Sequence, residues 1–300
     1  MLFTPIKPML LQTGNEVIDD SNWIYDIKWD GWRILIHKEG ERIEAFTRHG
    51  NNVTAKFPEL QEVGHSIREH TAIIDCEGVV LRENVSNFDD FAYRGRLTDK
   101  YKIEQACHTH PATFIAFDVL STDQLQTNKP LIERKKLLSS IIDPCNSLQV
   151  TPSVEGNGSH IFQLTKEWNM EGIVGKKRDS TYQINHRSND WLKYKHFKMT
   201  ETIILGYIEK PFSMLVGTKS KNGYNKVVAN LEFGFKPEEK IAFKKIASQI
   251  IINKDRSGVV WIEPRLCCHV QYLERTENGL LRIASFKGFS LDKNPEEIAI

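Results

Sequence analysis

The chain has 300 residues, enough for two domains or one large one, and its 40% apolar and 26% charged content is that of an ordinary globular protein. Forty basic against 39 acidic side chains leave a formal charge of +1, so no global polycation announces nucleic acid. No apolar run approaches the roughly 18 residues needed to cross a bilayer, and residues 1–5 lack the basic segment and apolar run of a signal peptide. Five cysteines without a Cys-x-x-Cys pair point away from a disulfide framework or zinc ribbon and toward reduced cytoplasmic thiols. Charge is unevenly spread. Residues 1–197 carry 24 Lys+Arg against 27 Asp+Glu (−3), residues 198–300 carry 16 against 12 (+4), a mild basic bias in the C-terminal part.

In chain order, Tyr25-Asp26-Ile27-Lys28-Trp29-Asp30-Gly31-Trp32-Arg33 comes first, leading into β-like runs at 32–38 and 43–47. A turn signal at Gly50-Asn51-Asn52 precedes a helical pattern at 55–68. Residues 72–81 and 113–120 read as buried strands. A helix at 130–142 opens on Pro130, and a second at 152–170 goes with the Gly-Asn-Gly-Ser loop. Strands at 172–176 and 190–195 bracket a polar loop. This irregular mixture predicts an α+β antiparallel-sheet domain over 1–197, not a doubly wound parallel sheet. After a hinge at 195–200, strands at 201–208, 213–218, 226–232, 258–263, 267–274 and 280–286 with one helix at 237–252 match the content of an OB-fold barrel over 198–300.

Lys28 is the first residue of chemical interest. A lysine with an ordinary pKa near 10.4 is almost wholly protonated at pH 7. A lysine nucleophile therefore needs positive charge, a metal or an apolar wall around it. Asp30 would hold the amine, and Gly31 would let backbone approach a ligand closely. Further along, Arg48 lies beside turn glycine Gly50, Glu77 and Phe117 lie at the ends of buried strands, and Glu171 precedes an apolar strand. Lys193 and Lys195, two apart, share one face of a strand. Each has an ordinary explanation taken singly, as a surface arginine, a core ring or a solvated face. Their order along the chain carries more weight than any one of them.

The succession Lys28-Trp29-Asp30-Gly31, Thr47-Arg48-His49-Gly50, Asp75-Cys76-Glu77, Phe117-Asp118, Glu171-Gly172-Ile173-Val174 and Trp191-Leu192-Lys193-Tyr194-Lys195 resembles the ordered motifs of covalent nucleotidyltransferases. Among these it is most similar to ATP-dependent DNA ligases of the minimal bacterial or phage type and to the ligase module of bacterial end-joining enzymes. A last segment, Arg282 to Lys293, resembles the C-terminal motif of the OB domain. The resemblance implies that Lys28 attacks the α-phosphorus of ATP, expels pyrophosphate and carries AMP, which passes to a DNA 5′-phosphate before a 3′-hydroxyl seals the nick. It further implies that Ile27, Lys193 and Lys195 line the nucleotide, that Lys193 and Lys195 neutralise the α-phosphate and help lower the Lys28 pKa, and that Glu77 takes a ribose hydroxyl. Phe117 and Val174 would sandwich adenine. Arg33 and Arg48 would contact nucleotide or the DNA phosphate at the break. Glu171, with Glu77, would hold magnesium or manganese as hard oxygen donors. Arg282, Asp292 and Lys293 would orient the leaving pyrophosphate.

Cys76 stands where the family usually has glycine, while Ala284 and Ser290 replace a proline and an arginine, so weaker self-adenylation is expected. DNA would be held through phosphates by Lys176-Lys177-Arg178, Arg187 and basic residues of the OB part, without base readout. With 27 residues before Lys28, no upstream DNA-binding or nicotinamide-recognising domain is expected, and a clamp or Ku-like partner would add affinity to a monomer. The rival readings are a GTP-dependent capping guanylyltransferase, an RNA ligase and, from another class, a catalytically silent nucleic-acid-binding OB protein. The intact lysine and glutamates speak against the last.

Overall fold

The computed structural model describes residues 2–298 apart from Lys221, Tyr224 and Glu277. The chain divides into two compact units, Met1–Lys195 and His196–Ile300. The first unit runs β1 (Leu10–Thr13), β2 (Trp23–Ile27), β3 (Trp32–Glu39), β4 (Arg42–Thr47), α1 (Leu60–Ser66), β5 (Thr71–Arg82), β6 (Val85–Ser86), α2 (Phe88–Arg96) and α3 (Lys100–Thr109). It continues with β7 (Ala112–Ser121), α4 (Leu131–Ile141), β8 (Leu148–Val150), β9 (Ser153–Glu155), α5 (Gly158–Glu167), β10 (Gly172–Lys177) and β11 (Arg187–Lys195).

Two sheets result, one ordered β1-β11-β10-β2-β9 and the other β4-β3-β5-β7-β8, with β6 paired to β5. Both mix antiparallel with parallel pairing: β1 runs parallel to β11 and β8 parallel to β7. Period-two alternation then decides what lies between the sheets. Ile34 and Ile36 of β3, with Ile74 and Cys76 of β5, face a core shared with α1 and Phe91 of α2. Their neighbours Leu35 and Ile73 face the opposite way, toward Ile24 and Trp191 of the other sheet. Tyr25, Ile173 and Tyr194 bury the far side of that other sheet with Ile161 of α5. Arg33, Asp75 and Glu77 share the inward parity of Leu35 and Ile73, so the strand pattern aims them at the space between the sheets.

Several expectations need correction here. Glu77 and Phe117 lie in the interior of β5 and β7, not at strand ends. The helix expected at 152–170 is shorter, spanning Gly158–Glu167. Helices α2 and α3 were not foreseen. Each is opened by an N-cap side chain, Asn87 accepting from Asp90 N–H and Asp99 accepting from Lys102 N–H. Two buried ion pairs join helices to the rest: Arg94 of α2 to Glu59 at 2.7 Å, and Arg134 of α4 to Asp118 of β7 at 2.8 Å.

The second unit contains β12 (Lys198–Glu209), β13 (Phe212–Lys219), β14 (Asn225–Leu231), α6 (Pro237–Ala247), β15 (Ile251–Lys254), β16 (Val260–Tyr272) and β17 (Ser285–Ser290). The sheet order is β14-β13-β12-β16-β15, with β17 on β16. Phe243 and Ala247 anchor α6 over a core of Tyr207, Met214, Val216 and Phe286. The helix expected at 237–252 ends at Ala247, and its last residues form strand β15. Strands expected at 258–263 and 267–274 are one continuous β16.

Candidate active site

Strand register places the nucleophile candidate. Lys28 follows β2 directly, and its backbone N–H donates to the carbonyl of Gly172 at 2.9 Å, which seats it beside Glu171. Gly172 has φ +143, and a Cβ there would lie 2.0 Å from the carbonyl oxygen of Tyr194, so this crossing of β10 and β11 requires glycine. Gly31 is constrained by a neighbour instead: a Cβ would fall 2.1 Å from the carbonyl oxygen of Gly78 on β5.

Glu171 is the hub of the site. Its Oε2 accepts from Lys28 Nζ at 2.6 Å and its Oε1 lies 2.5 Å from Lys195 Nζ, with the carboxylate only 3% exposed. Burial raises the Glu171 pKa, but Lys28 and Lys195 pull it down further, so the group is held as a carboxylate below its ordinary range. Burial likewise lowers Lys28, while Glu171, Glu77 and Asp30 raise it and prevail. This corrects two expectations. The carboxylate bonded to the amine is Glu171, with Asp30 adding its charge, and the amine's pKa is raised where neighbouring cations were expected to lower it. Lys193 behaves in the opposite sense. Burial, then Lys195, Lys28 and Arg187, push its pKa down.

Glu77 lies opposite Arg33 in the β3–β5 register. Burial raises its pKa to about 8, outweighing Lys28 and Arg33. Arg33 is committed elsewhere. It grips Asp75 in a fork at 2.9 and 2.6 Å and donates to the carbonyl of Met9 at 2.5 Å and the hydroxyl of Tyr182 at 3.1 Å. These bonds describe a positioning arginine more than the free phosphate ligand the sequence suggested. Arg48 is exposed on the turn after β4. Ile27 and Val174 are buried on adjacent strands, and Phe117 is half-buried between the sheets.

A second polar cluster was missed by sequence reasoning. Buried Asp26 accepts from Lys135 Nζ at 2.8 Å and from Ser153 Oγ at 2.7 Å, and lies 2.8 Å from Lys176 Nζ. Lys176 Nζ in turn sits 4.4 Å from the Phe117 ring centroid and 4.3 Å from that of Trp191. Lys176 is therefore a buried strand residue, not the DNA-phosphate contact expected of it. Its loop neighbours pair at the surface, Lys177 with Asp190 at 2.8 Å and Arg178 with Glu155 at 3.6 Å. The signal for Asp26 was its place two residues before Lys28, on the same side of the strand.

Arg282, Asp292 and Lys293 belong to the second unit. Arg282 pairs with Glu274 and Lys293 lies 3.7 Å from Glu201, which also accepts from Ser290 Oγ at 3.0 Å. Asp292 is exposed.

A lysine bridged by a buried acid to a second lysine, with two further carboxylates between facing sheets, and a following six-stranded β unit are the architecture of a nucleotidyltransferase domain joined to an OB-fold domain. Comparison with known proteins narrows the class. Residues 8–195 match the family described as the ATP-dependent DNA ligase domain, and the chain belongs to that family. It is 33% identical to the SPbeta prophage-derived DNA ligase-like protein LigB of Bacillus subtilis, over 95% of this chain and 98% of that protein. It is 28% identical to the multifunctional non-homologous end joining protein LigD of Mycobacterium bovis, covering 99% of this chain but 40% of that longer protein. Among solved structures, mycobacterial DNA ligase D complexed with ATP and MES aligns over 100% of this chain and 99% of that one, with TM-score 0.59 and 27% identity. A Lig E DNA ligase shares the fold at TM-score 0.66 and 18% identity, over 94% and 98% of the two chains. No helix among the described residues is long and apolar enough to cross a membrane.

Proposed function

We propose that this chain is an ATP-dependent ligase that seals nicks between a 3′-hydroxyl and a 5′-phosphate in duplex DNA. The observation that carries the reading is the Lys28 amine bonded to Glu171, with Lys195 on the same carboxylate and the charges of Glu77 and Lys193 acting on the same place. Lys28 Nζ forms a bond to the α-phosphorus of ATP as the bond to pyrophosphate breaks. An ammonium cannot attack, so its proton must leave first, and the carboxylate of Glu171 is the acceptor already in contact. Lys193 and Lys195 supply fixed positive charge for the α-phosphate, in the way phosphoryl transfer demands. The AMP then moves to the DNA 5′-phosphate, and the 3′-hydroxyl displaces it as the phosphodiester forms. We assign Arg282, Asp292 and Lys293 to the leaving pyrophosphate, and Arg48 to the DNA phosphate at the break.

The wall around Phe117 and Val174 also fits the base. Asp26 offers an acceptor beside the donor of Lys176, which would complement the amino group and N1 of adenine and oppose guanine, whose Watson–Crick edge carries O6 and N1–H in their place. For the metal, Glu77 and Glu171 are hard oxygen donors suited to magnesium or manganese, and a bound cation would offset the burial that raises the Glu77 pKa to about 8. Among the described residues no three His, Cys, Asp or Glu side chains converge as a metal cluster, so phosphate oxygens and water would complete the shell. When bound, the ion supplies charge neutralisation at the phosphates. We further assign the chain to the cytoplasm beside the nucleoid, as a monomer whose DNA affinity a Ku-like or clamp partner would raise.

Incubation with α-labelled ATP and magnesium, followed by a denaturing gel, is expected to label the wild type and not Lys28→Ala. Retention of label by the alanine variant refutes the assignment. Labelling by GTP in place of ATP selects the guanylyltransferase reading, and sealing of nicked RNA in place of nicked DNA selects an RNA ligase.

A further inference from the structure

Helix α6 carries a row of lysines, none of which forms an ion pair among the described residues. Lys236, at its N-cap, is followed by Lys240 and Lys244 at four-residue steps, which stacks them on one face with a rise of about 6 Å each. Phe243 and Ala247, three residues on from Lys240 and Lys244, turn the helix toward the core, so the lysine row runs along the edge of that buried face, with Lys240 half-buried and Lys236 and Lys244 exposed. Of the two acids in its first turn, Glu238 and Glu239, the second accepts from the Lys236 backbone N–H at 2.7 Å. The ammoniums of Lys240 and Lys244 rest on rings. Lys240 Nζ lies 5.3 Å from the centroid of Phe212 and 5.7 Å from that of Phe235, and Lys244 Nζ lies 5.4 Å from Phe212. Those rings are held in turn, Phe212 edge-on to Phe235 at 5.1 Å and Phe235 stacked on Phe286 at 4.6 Å. A lysine resting on an aromatic face is partly ordered while its charge remains available, whereas a lysine in an ion pair has already spent it.

We infer that this face of α6 binds consecutive backbone phosphates of the duplex DNA substrate, an inference that rests on the ligase reading above. A nick-sealing enzyme must grip DNA of any sequence, so its affinity has to come from phosphates and not from base edges. Cations repeated at one helical turn have a spacing of the same order as successive phosphates along a strand, and lysine is a point-charge ligand suited to them. The row adds a phosphate track on a helix, separate from the strands that usually carry nucleic acid on an OB fold.

The test is binding of the full chain to a fluorescent nicked duplex between 50 and 200 mM salt. Each phosphate contact contributes about 0.9 to the slope of log affinity against log salt. Lys240→Gln with Lys244→Gln is therefore expected to flatten the slope by roughly 1.8. Over that fourfold rise in salt, the wild type would lose about 12-fold more affinity than the double variant. Lys240→Arg with Lys244→Arg is expected to keep the wild-type slope. The single Lys244→Gln change, at an exposed position, is expected to give about half the effect and serves if the double variant is unstable. A wild-type slope in the glutamine variants overturns the inference. A wild type that takes no label from ATP and binds no nicked duplex overturns the ligase reading itself.

Discussion

Replacing Glu171 by glutamine separates two roles of the hub. The change preserves shape but removes the charge, so the amide oxygen can accept from one ammonium while its NH2 group confronts the other. Lys28 and Lys195 side chains are 18% and 12% exposed, so they would remain as two poorly hydrated cations without a shared counterion. Breaking a buried pair from one side costs about 3–5 kcal/mol, and the residual water contact favours the lower end, roughly 3 kcal/mol. For a unit of this size that lowers the melting temperature by about 6–12 °C. Lys28→Ala, by contrast, leaves Glu171 bonded to Lys195 and is expected to cost only about 1 kcal/mol, although both changes abolish self-adenylation. Urea or thermal unfolding of the three proteins measures the order. The gap between wild type and Glu171→Gln also has a pH signature. Because the folded pKa of Glu171 lies below its ordinary 4.5, its contribution is fully present above that pH and disappears as pH falls through the lower folded value. A glutamine variant as stable as wild type, or an alanine variant that loses more, would show that Glu171 does not hold the two amines together.

His37 is fully buried, its Nδ1 accepts from the Phe3 backbone N–H at 2.9 Å, and burial lowers its pKa to about 4. The unfolded chain therefore takes up the proton first: stability should be constant above about pH 6.5 and fall by about 3 kcal/mol on approaching pH 4. His37→Asn should lack that portion of the acid slope in urea titrations, and an unchanged slope would contradict the assignment. Gly31→Ala forces a Cβ to within 2.1 Å of the Gly78 carbonyl oxygen and should cost at least about 2 kcal/mol by unfolding, with reduced AMP labelling. Phe117→Ala should raise the KM for ATP by roughly 5- to 100-fold through lost base stacking, with the melting temperature as control; an unchanged KM removes Phe117 from the base site. Asp26→Asn should narrow the preference for ATP over GTP by about tenfold or more in competitive labelling, and an unaltered ratio would take Asp26 out of base selection.

The strands that carry chemistry were legible because their pattern is local: alternation at 32–38, the buried-strand run at 72–81, and the two-residue spacing of Lys193 and Lys195 survive in a single sequence. The partners of those residues were not. Arg33 reaching Asp75, Arg134 reaching Asp118 and Lys135 reaching Asp26 join positions 42, 16 and 109 residues apart, and the pairings follow from sheet register and helix docking. The same limit explains Lys176, which reads as one of three surface cations until β10 is seen to place its side chain between Phe117 and Trp191. The charge state of Lys28 was misjudged for a related reason: counting the lysines nearby overlooked the Glu171 carboxylate bonded to the amine at 2.6 Å and the added charge of Glu77 and Asp30. Helices α2 and α3 were marked by capping residues, Asn87 and Asp99, whose short polar signals are easily lost among loop residues.

Keeping the Lys28 amine locked against Glu171 has a chemical consequence in the cell. An ammonium has no lone pair, so aldehydes, cyanate and activated acyl donors find nothing to react with at that nitrogen. On the ligase reading proposed above, the nucleophile is thus shielded by its own counterion until its proton is removed.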